Sequence, residues 1–181
     1  IASPFFAAGN AVSISGDTPY LVSDFIPGPT LAEAAERLAP WTGAEVSALA
    51  AGLARALDDL SALGLTHRDV KPANVILSES GPVLVDLGIA KADTDTGLTQ
   101  TGAIAGTPYW MAPEQARGEP TSPATDVWAW GTVVSWALSR LADGESVTPE
   151  LTQLVERSRA ETLAARPSAA EIVATMSSSS S

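Results

Sequence analysis

The spacing of apolar residues divides the chain into helical and extended segments. The longest helical pattern places four leucines on one face: Leu49, Leu53, Leu57 and Leu60. Thr42 and Glu45 have the spacing of a capping box at the start of this pattern, and Gly64 is suited to its end. The pattern therefore predicts a helix between Thr42 and Gly64 whose leucine face is buried.

Further helices are predicted where a capping signal precedes apolar residues. The signals are Thr30 with Glu33, Ser122 with Pro123, Thr148 with Pro149, and Ser168 with Glu171. Glu at the third helical position completes a capping box, and Pro is favoured at the first helical position, where its missing N–H costs nothing. The helix after Ser122 is apolar on nearly every side, which predicts a buried central helix.

Two hairpins complete the pattern. Residues 11–14 and 19–26 read as short strands joined through Gly16 and Asp17. Residues 74–77 and 83–85 form a second pair, with a predicted turn through residues 80–82. Residues 91–107 are rich in Thr and Gly without periodicity, which predicts a loop. The fold class expected from these segments is α+β.

Composition narrows the class of protein. Hydrophobic residues make up 45% of the 181 residues and charged residues 17%, as in a compact domain with a buried core. A formal net charge of −11 argues against contact with nucleic acid or an anionic membrane. Cysteine is absent, which excludes disulfides and thiolate zinc sites. No apolar run is long enough to span a membrane and no targeting segment is evident, so the expected location is the cytoplasm.

A polar loop after the leucine-rich helix contains side chains of the kinds that bind phosphate groups and metal ions. Asp69, Lys71 and Asn74 supply a carboxylate, an ammonium and a carboxamide, and Asp86 follows the apolar strand 83–85. Phosphoryl transfer uses one Asp to orient the attacking hydroxyl, a Lys to offset phosphate charge, and oxygen ligands for Mg²⁺. For Asp86 alone, a turn-forming role is the alternative, because Asp and Gly favour turns.

Six short motifs resemble those of protein kinases. They are His67-Arg68-Asp69-Val70-Lys71-Pro72-Ala73-Asn74, Asp86-Leu87-Gly88, Gly106-Thr107-Pro108, Ala112-Pro113-Glu114, residues 126–131 and Arg166-Pro167-Ser168. The first two are similar to the catalytic loop and the metal-binding turn of that family. The resemblance covers residues 11–176 and is closest to bacterial Ser/Thr kinases of actinobacterial type. It implies a protein-kinase-like fold, mainly the α-helical C-lobe with the hinge and the last N-lobe strands.

The resemblance also implies a reaction, with ATP and Mg²⁺ as cofactors and protein Ser/Thr side chains as acceptors. Asp69 would be the catalytic base, Lys71 the phosphate contact, and Asn74 and Asp86 the Mg²⁺ ligands.

By the same resemblance, three positions near residue 25 and one in the second hairpin would contact the nucleotide. Ser23 would be the gatekeeper, and Asp24 and Ile26 would offer backbone groups to adenine. Ile76 would form the floor under the base. An ordinary β-hairpin is the alternative for residues 11–26.

Residues 91–107 match the activation segment of kinases. Thr99 and Thr101 resemble autophosphorylated threonines, and Thr107 matches the residue that contacts the catalytic Asp and Lys. Glu114 would pair with Arg166.

Three further residues would support the catalytic loop. His67 would be a packed structural residue, although a direct acid–base role is an alternative for the single histidine of the chain. Arg68 would pair with a phosphate on the activation segment, or else be a solvated surface charge. Asp126 would accept hydrogen bonds from the catalytic-loop backbone, or else be an exposed residue that suits the helix macrodipole.

The sequence departs from the kinase pattern in two regions. Its two lysines, Lys71 and Lys91, both follow the catalytic Asp, and no G-x-G-x-x-G motif occurs, so the expected phosphate lid is missing. Residues 142–146 stand where kinases usually have another helix. The expected domains are remnant N-lobe strands and the start of the hinge at 1–26, a C-lobe at 27–176 and a disordered serine tail at 177–181.

These features favour a Ser/Thr protein kinase that is weak or inactive as this chain alone. A non-catalytic, pseudokinase-like interaction module is the alternative, and a small-molecule phosphotransferase is the least favoured. The strand pair at 11–26 would leave an exposed edge prone to self-association.

Overall fold

The computed structural model describes residues 4–5, 9–13, 20–23, 25–37, 40–87 and 108–178, with the backbone alone for 9–13, 20–23 and 108. The helices are α1 (Leu31–Arg37), α2 (Gly43–Ala62), α3 (Pro113–Ala116), α4 (Pro123–Leu138), α5 (Pro149–Ser158) and α6 (Ala169–Ser178). The strands are β1 (Gly9–Ser13), β2 (Tyr20–Ser23), β3 (Val75–Ser78) and β4 (Gly81–Leu84). Short 3-10 turns lie at Pro72–Asn74, Pro108–Trp110 and Leu163–Ala165.

Helices α2 and α4 lie at the centre of the core, as the two apolar patterns predict, and α5 and α6 add further buried residues to it. Helix α2 packs against α4, α6 and β4. The four leucines of the α2 face are buried, and full burial of one leucine side chain contributes about 1.5–3 kcal/mol. Trp130 of α4 is fully buried, and its indole N–H donates to the carbonyl oxygen of Ala50 in α2 at 3.0 Å. This bond satisfies the polar atom that the core would otherwise bury unpaired.

The predicted caps of α2 are present. The Glu45 N–H donates to the Thr42 hydroxyl at 3.2 Å, and the Thr42 N–H donates to the Glu45 carboxylate at 2.8 Å. Gly64 has a φ of +70°, which a glycine adopts without steric cost. Helix α2 therefore ends just before the polar loop that begins at His67.

The prediction that Ser122 caps α4 is wrong. The Ser122 side chain makes no capping hydrogen bond to α4. Instead, the Thr125 hydroxyl accepts the Ser122 N–H at 3.0 Å. The helix still begins at Pro123 because its fixed φ suits the first turn.

The position predicted for the turn of the second hairpin is also wrong. The turn lies at Glu79 and Ser80, and Pro82 belongs to β4, opposite Leu77. At this position the Leu77 N–H points away from Pro82 and donates to the Pro29 carbonyl at 2.9 Å. The missing N–H of Pro82 therefore removes no bond from the ladder.

Ser177 and Ser178, which were predicted to belong to a disordered tail, are helical. Helix α6 continues through Ser178, and the hydroxyls of Ser177 and Ser178 donate to the carbonyl oxygens of Val173 and Thr175, both at 2.8 Å. Residues 179–181 lie outside the described part of the chain.

Strands β1 and β2 pair in antiparallel register, with Ser13 opposite Tyr20. The second predicted strand is shorter than expected, because β2 ends at Ser23. The chain then crosses to the second hairpin, where Thr30 forms an isolated bridge with Ile76. Gly28 makes this crossing with a φ of +142°, and a Cβ there would overlap the carbonyl oxygen of Leu77. The segment after β2 thus lies directly against β3.

Aromatic rings join α4 to the segments on either side of it. Trp136 of α4 contacts Trp41 edge-to-face with ring centroids 6.1 Å apart and Trp110 at 5.9 Å. Trp110 in turn contacts Tyr109 at 4.9 Å. The Arg140 guanidinium lies 3.9 Å from the centroid of the Trp136 ring, a cation–π contact. We refer to these four rings as the aromatic junction.

The loop at residues 142–146 packs against the start of α2. The Glu145 carboxylate accepts the Gly43 N–H at 2.7 Å, and the Ala142 N–H donates to the Trp41 carbonyl at 2.9 Å. The loop therefore supplies an acceptor to one of the N–H groups that a helix start leaves unpaired.

Candidate active site

The polar loop brings three of the predicted catalytic residues into direct contact. The Lys71 ammonium lies 2.9 Å from the Asp69 carboxylate. The Asn74 amide nitrogen donates to the Asp69 backbone carbonyl at 2.8 Å and to the same carboxylate at 3.0 Å. The side chains of Lys71 and Asp69 are 25% and 22% exposed. The cluster thus holds one carboxylate at the surface with two donors that fix its orientation.

Asp86 is held next to this cluster through Val85. The Val85 N–H donates to the Asn74 carbonyl at 2.9 Å, and the Val85 carbonyl lies 3.0 Å from Nε2 of His67. Asp86 follows with a left-handed φ of 59° and an exposed side chain. Two residues of the catalytic loop thereby fix the backbone just before the second predicted metal ligand.

The His67 ring connects the backbone at Asp69 to the backbone just before Asp86. The ring is fully buried, and Nδ1 accepts the Asp69 N–H at 3.3 Å. Because Nδ1 is an acceptor, the neutral ring carries its proton on Nε2 and donates it to the Val85 carbonyl. This geometry fits the structural role expected for His67.

Asp126, at the start of α4, holds the beginning of the same loop. Its carboxylate is buried and accepts the N–H groups of His67 at 2.6 Å and Arg68 at 2.8 Å. Burial raises the pKa of Asp126 to about 6, against the opposing effect of these two hydrogen bonds and of the Arg68 charge. The loop is therefore tied to the central helix, as the resemblance implies.

Glu114 and Arg166 form a buried ion pair. The guanidinium donates to both carboxylate oxygens, at 2.7 and 2.9 Å, and the side chains are 2% and 0% exposed. Burial, the largest single influence, acts to raise the pKa of Glu114, but the bonds and charge of Arg166, a backbone hydrogen bond and the Thr125 side chain together hold the pKa below its ordinary value. The pair anchors α3 to the segment before α6.

The structure places the remaining predicted site residues with less detail. Ile76 lies in β3 and is half-buried, and Ile26 is half-buried after β2. Ser23 is the last residue of β2 and is described by its backbone. Four predicted residues lie outside the described part of the chain: Asp24, Thr99, Thr101 and Thr107.

The expected metal site depends on Asn74 and Asp86. Within the ranges that the structure describes, no group of three or more His, Cys, Asp or Glu side chains could hold a metal ion. A carboxylate and a carboxamide nevertheless fit Mg²⁺, which takes few protein ligands and completes its shell with water and substrate phosphates.

Two features of the site region had no counterpart in the sequence reasoning. The Gln115 side chain donates to the Arg68 carbonyl at 2.9 Å, and no local pattern predicts this contact. An apolar cavity of about 200 Å³ lies between α1, α2 and the β3–β4 hairpin, lined by Leu31, Trp41, Leu49 and Leu77 among others. None of its lining residues belongs to the Asp69 cluster.

Comparison with known proteins identifies the family. The family model described as "Protein kinase domain" matches residues 10–145. The chain belongs to the protein kinase domain family. The predicted resemblance is therefore confirmed, and the cluster around Asp69 lies inside the matched part of this kinase domain.

The curated relatives are actinobacterial Ser/Thr kinases. The probable serine/threonine-protein kinase PkwA of Thermomonospora curvata is 36% identical over an alignment 182 positions long, which includes 90% of this chain and 24% of that protein. AfsK of Streptomyces griseus is 38% identical over 132 residues, covering 72% of this chain and 16% of that protein. PknB of Mycobacterium tuberculosis H37Rv is 37% identical over 132 residues, covering 71% of this chain and 21% of that protein. The chain thus spans a quarter or less of the length of these relatives.

A solved structure shows the same fold. The kinase domain of M. tuberculosis PknI superposes with a TM-score of 0.76 at 22% identity, covering 99% of this chain and 73% of that domain. The expected protein-kinase-like fold is therefore confirmed. Among the described residues, no helix combines the length and the apolar composition needed to cross a membrane.

Proposed function

We propose that this chain carries the catalytic loop and the metal-binding turn of a Ser/Thr protein kinase that uses Mg²⁺ and ATP. The observation that supports this most is the Asp69 cluster, in which Lys71 and Asn74 both contact one carboxylate. Such a cluster holds its base before any substrate arrives, and positioning supplies most of the rate in phosphoryl transfer.

Each residue of the cluster has a distinct proposed role. The Asp69 carboxylate orients a substrate Ser or Thr hydroxyl and accepts its proton. The Lys71 ammonium, beside it at 2.9 Å, offsets negative charge on the phosphoryl group as it moves. The Asn74 and Asp86 oxygens hold Mg²⁺, which would neutralise the phosphate oxygens of ATP when bound. The nucleotide would lie against Ile76 and the backbone after β2, near Ser23, Asp24 and Ile26.

The proposed activity of these 181 residues is weak. Their two lysines are Lys71 and Lys91, and no G-x-G-x-x-G motif occurs among them. No residue among the 181 therefore matches the strand lysine or the loop that kinases place over the phosphates. A nucleotide bound here would be held from one side, so transfer would be slow. The proposed boundary between the strand remnant and the C-lobe lies at residues 26 and 27.

The proposed partners are proteins with exposed Ser or Thr side chains, and a second copy of the chain through the open edge of the β1–β2 pair. The proposed place of action is the cytoplasm, because that is where ATP is available.

Transfer of radioactive phosphate from γ-labelled ATP tests the catalytic proposal. The protein would be incubated with Mg²⁺ and a generic Ser/Thr substrate, and compared with Asp69→Asn and with Asp143→Asn. Asp143 is an exposed residue of the 142–146 loop, so it controls for the loss of one acidic charge. We expect slow transfer by the wild type and by Asp143→Asn, and none by Asp69→Asn. Equal transfer by all three would refute the role of Asp69.

A non-catalytic, nucleotide-free interaction module is the second candidate. It is favoured by the absence of the strand lysine and of a G-x-G-x-x-G loop from the 181 residues. Calorimetric titration with ADP, with and without Mg²⁺, separates it from a kinase. A kinase site requires Mg²⁺ and loses affinity in Asp86→Asn, whereas a pure interaction module shows no heat of binding in any condition.

A further inference from the structure

The peptide that joins Arg68 to Asp69 is held at both of its polar ends by side chains. Its carbonyl oxygen accepts the Gln115 side-chain N–H at 2.9 Å. Its N–H, which belongs to Asp69, donates to Nδ1 of His67 at 3.3 Å. Because a peptide unit is planar, fixing the two ends fixes the plane and with it the position of the Asp69 Cα, from which the side chain leaves the backbone.

The conformation held in this way is an unfavourable one. Arg68 has a φ of 68°, a left-handed conformation that residues other than glycine rarely adopt. The Arg68 N–H is bound by Asp126 at 2.8 Å, and the Arg68 carbonyl by Gln115 at 2.9 Å. Strained residues persist where their surroundings determine them from several sides, and here the two contacts come from α4 and α3.

Gln115 is itself well placed to hold this carbonyl. Its amide oxygen accepts the Ala112 N–H at 3.3 Å, so both ends of the side-chain amide are bonded and its orientation is set. The preceding residue, Glu114, is fixed by the buried pair with Arg166. Helix α3 has four residues, so the anchor at Glu114 also limits how far Gln115 can move.

We propose that Gln115 is a positioning residue for the Asp69 base, acting through the Arg68 carbonyl. The proposal deepens the function proposed above and rests on it. It predicts that α3, which follows residues 88–107 along the chain, stabilises the catalytic loop through one specific hydrogen bond.

Two substitutions separate this role from simple capping of α3. Gln115→Glu keeps an oxygen that can accept the Ala112 N–H but has no N–H for the Arg68 carbonyl. Gln115→Met removes both bonds while keeping the length of the side chain. Arg117→Met is the matched control, because Arg117 caps the same helix, is exposed and pairs with Glu119.

Amide hydrogen exchange, resolved by residue with NMR, is the first readout. Loss of one hydrogen bond predicts about tenfold faster exchange at residues 67–69 in both Gln115 variants, with unchanged exchange in α4 and α6. Arg117→Met should leave residues 67–69 at the wild-type rate. Wild-type exchange at these residues in Gln115→Glu would overturn the proposal, as would equal acceleration in α4 and α6, which reports general loss of stability.

Steady-state kinetics supply the second readout. Where the wild type transfers phosphate, Gln115→Glu should lower kcat about tenfold and leave KM for ATP unchanged, because the base is displaced and the nucleotide contacts are not. A change in KM with unchanged kcat would contradict the proposal. Absence of transfer by the wild type would count against the proposed catalytic function, and the exchange rates would then decide the role of Gln115.

Discussion

Replacing Arg166 by Met is expected to destabilise the protein strongly, because it leaves the buried Glu114 carboxylate without its charged partner. The Glu114 and Arg166 side chains are 2% and 0% exposed and share two hydrogen bonds of 2.7 and 2.9 Å. Breaking a buried pair by removing one partner costs about 3–5 kcal/mol. Arg166 also donates to the carbonyl oxygens of Ala160 at 2.8 Å and Ala124 at 3.0 Å. Since these acceptors lose their partner too, the expected loss lies near the upper value.

Urea unfolding followed by circular dichroism measures this loss, and the chain offers a matched control. Arg117 and Glu119 form a pair of the same kind, with bonds of 2.7 and 3.1 Å, but their side chains are 54% and 49% exposed. Solvent screens such a pair, so Arg117→Met should shift the free energy of unfolding by no more than the error of the fit. The geometry of the two pairs is similar, so the difference between the variants reports the burial of the pair together with the carbonyl bonds that only Arg166 makes.

The pH dependence of the Arg166 effect has a definite sign. Because Arg166 lowers the pKa of Glu114 below 4.5, the pair contributes fully above that pH and its contribution disappears as pH falls through the lowered value. The deficit of Arg166→Met should therefore shrink in acid. Equal losses in Arg166→Met and Arg117→Met at pH 7 would refute the reasoning, as would a deficit that grows as the pH falls.

Three further predictions concern single residues. Ser158→Ala should raise the free energy of unfolding by about 1 kcal/mol, because the Ser158 hydroxyl is the one buried side-chain polar atom without a hydrogen-bond partner among the described residues; a loss in urea unfolding would contradict this. Gly28→Ala should cost about 1–3 kcal/mol and weaken ADP binding in calorimetry, since φ is +142° and a Cβ would overlap the Leu77 carbonyl. Gly118→Ala is its control, because φ is +69° there but the space is open, and equal losses would rule out the overlap as the cause. For Asp126, whose folded pKa of about 6 exceeds the ordinary 3.8, stability should fall by about 2 kcal/mol as pH rises from 4 to 6 relative to Asp126→Asn; parallel pH profiles of the two proteins would show that Asp126 does not titrate there.

The helices were largely predictable because their signals are local. The Thr30–Glu33, Thr42–Glu45 and Ser168–Glu171 boxes each join residues three apart, and such contacts follow from helix geometry alone. The hairpin turn was misplaced because Gly81 and Pro82 suit a turn as well as an edge strand. Only the contact with Pro29, far away along the chain, decides between the two positions.

The sequence predicted which catalytic residues form the site, but not all of the hydrogen bonds that hold them in place. Asp69, Lys71 and Asn74 lie within six consecutive positions, so their spacing alone indicates chemistry. The bond from the Gln115 side chain to the Arg68 carbonyl joins residues 47 positions apart, and the bond from the His67 N–H to the Asp126 carboxylate joins residues 59 apart. The kinase resemblance implied the second contact, whereas nothing in the sequence marked Gln115.

The aromatic junction should give this protein a characteristic near-ultraviolet circular dichroism spectrum. Trp41, Trp110 and Trp136 meet edge-to-face within about 6 Å, so their indole transitions lie close enough to influence one another in a fixed asymmetric arrangement. Near-ultraviolet circular dichroism detects such fixed packing and loses the signal when the packing loosens. Trp110 comes three residues after Thr107, so rearrangement just before α3 should alter this spectrum without any attached dye. Trp130, buried separately in the core, should keep its fluorescence until the whole domain unfolds.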